Sequence, residues 1–310
     1  MKKILSIFLN IDRAYLTGIT IDESGVSLDY INSTIHHIDL ENFKTEESRN
    51  GVAEMNKFFF EMDFEPDEIS VTLPSESVLV SKFPGKHDIT DDELTQLLNL
   101  EIRQLYPQCD PKDYTTYAVP MLPDNPKLHQ MMAVIVPNED FKALEELVQI
   151  LNKPIVKFDI TQLNAHTCFL YNYPEMVDKN IIFVCVQGHF MDVSVLSAGK
   201  PIYYNLLAVS DFKKVGEFLE KEYDKIVPNY VDEIHACYFF GVGLTKEINM
   251  MLWETASLLG IFEAKRLNSF RMLKSNLSKR EKEYCSRTLH IYPACIGAGL
   301  PAQHKILNVE

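Results

Sequence analysis

Runs of β-forming apolar residues broken by short polar turns are most regular at two places in the chain. Ile181–Val186, Met191–Leu196 and Pro201–Leu207 are rich in Val, Ile, Phe and Tyr, and short turns at Gln187–Phe190 and Ser197–Lys200 join them, each holding a glycine. That pattern predicts a tightly connected three-stranded meander. Lys3–Leu9, Tyr15–Ile21 and Val26–Ile31 repeat it at the start of the chain, separated by Asn10–Ala14 and Asp22–Gly25. Phe8 and Asn10 stand 177 residues before Cys185 and Gln187. The repeat predicts two related lobes, each opened by a meander.

Between the meanders the period changes. Val52, Met55, Phe59 and Met62 fall at helical spacing and predict a helix over Glu46–Met62. Strands are expected at Ile69–Leu73 and Val78–Phe83, with Pro74–Ser77 turning the chain between them. Pro84–His87 read as a boundary, and Asp88–Thr90 precede the next helix. Thr90 and Glu93 form a capping box for that helix, which carries Leu94, Leu97, Leu98, Ile102 and Leu105 and stops before Pro107. Strands Tyr114–Met121 and Gln130–Val136 and a helix from Asn138 to Leu151 complete an αββα unit. The expected division is therefore lobe one at 1–85 plus 154–178, an inserted subdomain at 86–153, and lobe two at 179–310. Lobe one closes with a strand at Ile155–Ile160 and an apolar helix at Thr161–Tyr171. Lobe two continues with a helix at Ser210–Tyr223, a strand at Ile234–Phe240 running into Gly241-Val242-Gly243, and a helix at Thr245–Leu259. A strand at Phe262–Leu267 and a helix at Lys279–Thr288 follow. The last helix is free to pack back on lobe one, and an apolar segment, Ile291–Leu300, with Gly297 and Gly299, closes the pattern. Trp253 is expected in the core or between the lobes.

Composition narrows the function classes. The 310 residues carry a net charge of −14 with no basic run, which argues against a dedicated nucleic-acid binder. Asp39–Glu68 holds ten acidic and three basic residues, read as a solvated helix face. Asp12 and Arg13 interrupt the first apolar run, so MKKILSIFLN reads as a strand and not a signal peptide. No apolar run reaches the roughly 20 residues needed to span a bilayer. The six cysteines are scattered with no CxxC pair, as expected of reduced thiols in a cytoplasmic protein, and no metal site is expected. His166 and Cys168 sit on one apolar helix, where packing accounts for both. His36 and His37 are adjacent on a strand, point to opposite faces and do not share a metal. There is no GxSxG elbow, no P-loop and no HExxH.

The order meander, helix, strand, insertion, then meander, helix, strand–GxG–helix, resembles the actin-like ATPase superfamily. The stretch VTLPSESVLVSKFP resembles the entry to that family's inserted subdomain. ITDDELTQLLNLEIRQLYPQ and AVIVPNEDFKALEELVQI resemble its two helices with their prolines, and FFGVGLTKEINMMLWETASLLGI resembles the adenosine loop. Within the superfamily the chain is most similar to the PilM-type assembly proteins of the type IV pilus platform, and also to FtsA and the cytoplasmic domain of type II secretion protein L. The resemblance implies an α/β, two-lobed actin-like (ribonuclease H-like) fold enclosing ATP. It also implies a cytoplasmic protein, held at the inner membrane by a partner and not inserted in it.

The resemblance further implies an Asp-x-Gly-Ser/Thr motif at the first turn of each meander, where glycine lets the backbone approach phosphate and Asp positions Mg²⁺. Here the Asp positions fall on Phe8 and Cys185, and the Gly positions on Asn10 and Gln187. Asp12 and Asp192 lie nearby and read as a turn residue and a polar strand position rather than as displaced substitutes for the metal ligands, Gly188 gives the second turn some backbone freedom, and Gly241 and Gly243 keep the form of the adenosine loop with Leu244 after them. No catalytic residue is therefore expected. The expectation is a non-catalytic scaffold or adaptor with no cofactor. The alternative is an ATP-binding, ATP-hydrolysing or sugar-kinase-like enzyme with a rearranged site. The implied partner is the cytoplasmic tail of a membrane protein, docked near residues 75–105 beside Ser75–Phe83 and the Leu94–Leu105 helix, with self-association left open.

Overall fold

A computed structural model describes residues 1–40, 42, 44–86, 89–301 and 307–308. The expected boundary residue His87 and helix lead Asp88 lie outside these residues. The first meander is β1 (Lys2–Leu9), β2 (Ala14–Asp22) and β3 (Gly25–Ser33), paired antiparallel. Then come α1 (Glu46–Glu61), β4 (Glu68–Leu73), β5 (Leu79–Pro84), α2 (Asp91–Leu105), β6 (Tyr114–Met121), β7 (Gln130–Pro137) and α3 (Asn138–Val148). β8 (Ile155–Ile160) and α4 (Thr161–Asn172) lead to the second meander, β9 (Ile181–Gln187), β10 (Phe190–Ser197) and β11 (Lys200–Ala208). The rest is α5 (Val215–Ile226), β12 (Ala236–Phe240), α6 (Lys246–Leu258), β13 (Glu263–Arg266), β14 (Lys274–Ser275), α7 (Lys279–Thr288), α8 (Pro293–Gly299) and β15 (Leu307–Asn308).

Three sheets form. The first runs β14-β3-β2-β1-β4-β8, the second β11-β10-β9-β12-β13 and the third β15-β6-β7-β5. In each of the first two, an antiparallel meander is extended by parallel strands, β4 and β8 on one, β12 and β13 on the other. Two assignments differ from the expected division. β5, expected in lobe one, pairs antiparallel with β7 in the third sheet, because Pro74 and a short turn at Ser75–Ser77 redirect the chain before it. β14, from the lobe-two stretch, pairs with β3 at the edge of the first sheet.

Period-2 alternation sorts the β1 side chains onto two covered faces. Leu5, Ile7 and Leu9 pack with Met55 and Phe59 of α1 and Leu144, Leu147 and Val148 of α3. Phe8 faces the other way, into a cluster with Tyr15, Ile19, Tyr292 and Ile296. The second sheet has α5 and α6 over one face and α4 over the other. α4 and α8 thus lie between the two large sheets. That position explains why α4 is buried on nearly all sides and shows no amphipathic stripe. The final apolar segment, unassigned from its pattern, is α8. Its buried Gly297 has no room for a side chain, since a Cβ there would overlap the Asn164 carbonyl of α4. Trp253 is not in the core: it is 52% exposed on α6, whose Ile248, Leu252 and Ala256 turn inward.

Lys157 of β8 ties the two helices to the first sheet. Its Nζ donates to the Gly297 carbonyl in the last turn of α8 at 3.0 Å, where a cation also meets the negative end of the helix. Burial pulls the Lys157 pKa down, and Asp159 opposes that shift. Lys157→Met keeps the stem and removes the donor. Urea unfolding of this variant is expected to show a loss of about 1–2 kcal/mol; an unchanged midpoint would mean the bond contributes nothing net.

Candidate functional site

The two meander turns face one another between the lobes. In the first, the Asn10 backbone N–H donates to the Arg13 carbonyl at 3.0 Å and closes the turn. Asn10 is buried, and its Nδ2 donates to Asp12 Oδ1 at 3.2 Å. Asp12 Oδ2 accepts from Tyr15 Oη at 2.7 Å and Arg13 Nε at 3.2 Å. Burial, then the adjacent Asp12, pushes the Tyr15 hydroxyl far above its ordinary pKa. Phe8 is 1% exposed and stacks on Tyr15 with ring centroids 6.0 Å apart. Tyr292 meets Tyr15 edge-on at 5.3 Å.

In the second turn Cys185 is buried, and burial together with the charge of Asp192 raises its thiol pKa. Gln187 is 3% exposed, and its Nε2 donates to Cys185 Sγ at 3.3 Å and to Thr161 Oγ1 at 3.5 Å. Gly188 takes a left-handed φ of 46°, and a Cβ there would overlap Ile11 Cδ1. Ile11 of the first turn therefore fills the space against the second. Gly241 (φ 106°) donates to the His290 carbonyl at 2.9 Å, and Gly243 donates to the Val186 carbonyl at 2.9 Å. A Cβ on either would press on Val186, so both glycines are needed to seat this loop on the end of β9.

These residues do not fit a Mg²⁺–triphosphate. Neither Phe8 nor Cys185 offers the oxygen that Mg²⁺ takes. Asp12 is engaged within its own turn. Asp192 is 3% exposed and accepts from Tyr204 Oη at 3.3 Å. The Asn10 and Gln187 side chains occupy the positions where a glycine would leave room.

Other chemistry expected from the sequence resolves into packing. His36 Nδ1 bonds Glu54 Oε1 at 2.7 Å and His37 Nδ1 bonds the Asn10 carbonyl at 2.9 Å, so the pair shares no ligand. All six cysteines are free thiols. Among the described residues no group of three or more His, Cys, Asp or Glu is placed to hold a metal. No described helix is long and apolar enough to cross a membrane. His166 Nε2 lies 2.6 Å from Ser194 Oγ, the spacing of an activated nucleophile, and Gln162 Nε2 donates to the same oxygen at 2.5 Å. Ser194 is 0% exposed, which leaves no route for a substrate to its hydroxyl.

Two features were not legible in the sequence. The first is a carboxyl pair, Glu76 from the β4–β5 turn and Asp192 from β10. Burial raises both, Glu76 to about 8 with Asp192 adding to the shift, and Asp192 to about 7 with the Ser75 and Tyr204 hydroxyls opposing it. Among the described residues neither makes an ion pair. The second is a cavity of about 250 Å³ where β1 and β4 end beside the inserted sheet. Leu9, Ile38, Leu40, Leu73 and Pro74 supply its apolar lining, and Asp39, Glu76 and Asp140 its acidic part. The expected docking region, residues 75–105, contributes Glu76 and Ser77 to it.

No family model matches the sequence, and no curated protein matches it. Solved structures do. The PilM–PilN type IV pilus biogenesis complex superposes at a TM-score of 0.71 with 14% identity, over 96% of this chain and 97% of that one. A Bacteroides thetaiotaomicron protein with an actin-like ATPase fold and unknown function matches at 0.53 with 10% identity, over 86% and 91%. The cytoplasmic domain of EpsL, an inner-membrane component of the Vibrio cholerae type II secretion system, is a looser match at 0.45 with 10% identity, over 83% and 95%. At these identities the likeness is one of fold, and the fold of this chain is the two-lobed actin-like one.

Proposed function

We propose that this chain is a non-catalytic actin-like adaptor, and that it holds an extended cytoplasmic segment of a membrane protein within an envelope assembly such as a type IV pilus or secretion platform. One observation carries the non-catalytic part: the turns that would bind phosphate are filled by the chain's own side chains, with Ile11 against Gly188 and Phe8 in the core. The similarity to the PilM–PilN complex supports the adaptor part, together with the cavity beside Pro74–Ser77.

Thermal melts and calorimetry with ATP test the first part. A ligand present at 100 times its dissociation constant adds about 2.7 kcal/mol of stability. The expected result is no shift at millimolar ATP, with or without Mg²⁺. A Mg²⁺-dependent shift would return the chain to the ATP-binding, enzymatic reading. Recovery of membrane proteins on the full chain, compared with a form whose cavity is blocked by Ser77→Trp, tests the second. Equal recovery on both would remove the docking site from this cavity.

A further inference from the structure

Trp253 points past the open edge of the second sheet. β13 closes that sheet and pairs only with β12, so among the described residues no strand lies on its other side. α6 lies over β12 and β13, and α5 over β10. A Cβ on Gly216 of α5 would meet Thr255 Oγ1 of α6, so the Thr255 flank of α6 is the one turned to α5. Trp253, two residues earlier, is rotated about 200° from it. It therefore stands on the flank away from α5, half exposed, on the side where the sheet ends. Phe262, one residue before β13, is 88% exposed.

The Leu267 N–H donates to the Phe239 carbonyl of β12 at 2.8 Å. Main-chain groups alternate along a strand, so Glu263 and Lys265 also turn theirs to β12, while Phe262, Ala264 and Arg266 turn theirs to the open side. Side chains alternate as well. Ala264 packs on the core under α5 and α6, which puts Phe262 and Arg266 on that face. Glu263 and Lys265 lie on the other face, where Tyr238 Oη donates to Glu263 Oε1 at 3.2 Å and Lys265 Nζ donates to the same oxygen at 2.7 Å.

A lysine on an edge strand ordinarily keeps a second strand away. Here the charges match themselves in one register. In a two-fold antiparallel pair centred on Ala264, each Glu263 lies opposite the second copy's Lys265, and the bond between Glu263 and Lys265 within each strand is kept. Four charges then alternate in sign around a square, and cross-strand pairs of opposite sign are favourable. Phe262 falls opposite the second copy's Arg266, a cation against an aromatic ring. Moving the centre to Lys265 would set two lysines against each other. With strands about 4.8 Å apart, α6 comes about 10 Å from its mate, a helix-packing distance, and Trp253 lies between them.

We infer that a second copy of this chain docks on β13: the two strands pair antiparallel about Ala264, join five strands from each copy into one sheet, and cover Trp253 and Phe262. The surface is in lobe two and does not depend on what the first lobe holds. A two-fold contact of this kind closes on itself and stops at a dimer.

Sedimentation of the full chain from about 1 to about 300 μM, the range of small interfaces, tests it. The parent is expected to pass from monomer to dimer. Its one tryptophan should report the same change, its emission moving to the blue as Trp253 is covered. Glu263→Lys alone and Lys265→Glu alone each set like charges across the two-fold and should weaken association at least about tenfold. An equimolar mixture of these two variants should form a heterodimer, and the double variant Glu263→Lys/Lys265→Glu should dimerise as the parent does. Ala264→Pro removes the central N–H on the open side and should leave a monomer. A parent that stays monomeric throughout, single variants that associate like the parent, or a double variant and a mixture that both stay monomeric would overturn the pairing.

Discussion

Replacing Phe8 by Asp is expected to unfold the first lobe, although Asp is the residue that active members of the resembled superfamily carry at this position. Phe8 is 1% exposed and packs among Tyr15, Ile19, Cys295 and Ile296. Removing a buried Phe costs about 3–5 kcal/mol through lost transfer energy and the cavity left behind. A carboxyl placed there finds no cation or Mg²⁺, and burying it unpaired adds to the loss. The sum approaches the whole stability of an ordinary domain, about 5–15 kcal/mol. Chemical unfolding of Phe8→Asp should show a loss of at least about 4 kcal/mol or no folded protein. Phe8→Leu, which keeps most of the volume, should cost about 1.5 kcal/mol at most. If Phe8→Asp were folded near the parent stability and bound Mg-ATP, Phe8 would be a plug over a working site and not part of the core.

That contrast marks what could be read from the chain alone. The meanders were legible because period-2 patterning, turn glycines and a constant offset all act over a few residues. The capping box at Thr90 and Glu93 was legible for the same reason, and both of its hydrogen bonds form. That Phe8 and Cys185 stand where the resemblance implies carboxylates was legible as a departure from a motif. Longer-range arrangements were not. β5 reads as a strand, but its pairing with β7 is a tertiary choice that periodicity does not encode. Ile291–Leu300 is too short and too uniformly apolar to show a face, because as α8 it is covered on every side. Trp253 was misplaced because an aromatic at helical spacing is usually core, whereas here the smaller Leu252 and Ala256 turn inward. Glu76 and Asp192 lie 116 positions apart, and nothing local marks them as neighbours.

The Glu76–Asp192 pair should set how stability varies with pH above neutrality. Both groups are protonated in the folded chain over a range where their unfolded counterparts, with pKa values near 4, are ionised. The folded state then binds more protons than the unfolded one, so stability falls as pH rises. The loss runs from about pH 4 to about 8, where Glu76 ionises beside Asp192. His290 works in the opposite sense at the acid end. Burial holds its pKa down to about 4, so its contribution is present above pH 6.5 and lost as pH falls. The two slopes oppose each other below pH 6.5, and the carboxyls dominate between pH 6.5 and 8. Urea unfolding across that window should show stability dropping by about 2–3 kcal/mol, two protons' worth at most. Glu76→Gln and Asp192→Asn each keep the neutral form at every pH. Each should flatten the curve and leave the variant about 1–2 kcal/mol more stable than the parent at pH 8.5. A parent curve flat from pH 6.5 to 8.5 would show that the pair is already ionised and solvated. In that case burial would not hold Glu76 and Asp192 neutral in the folded chain.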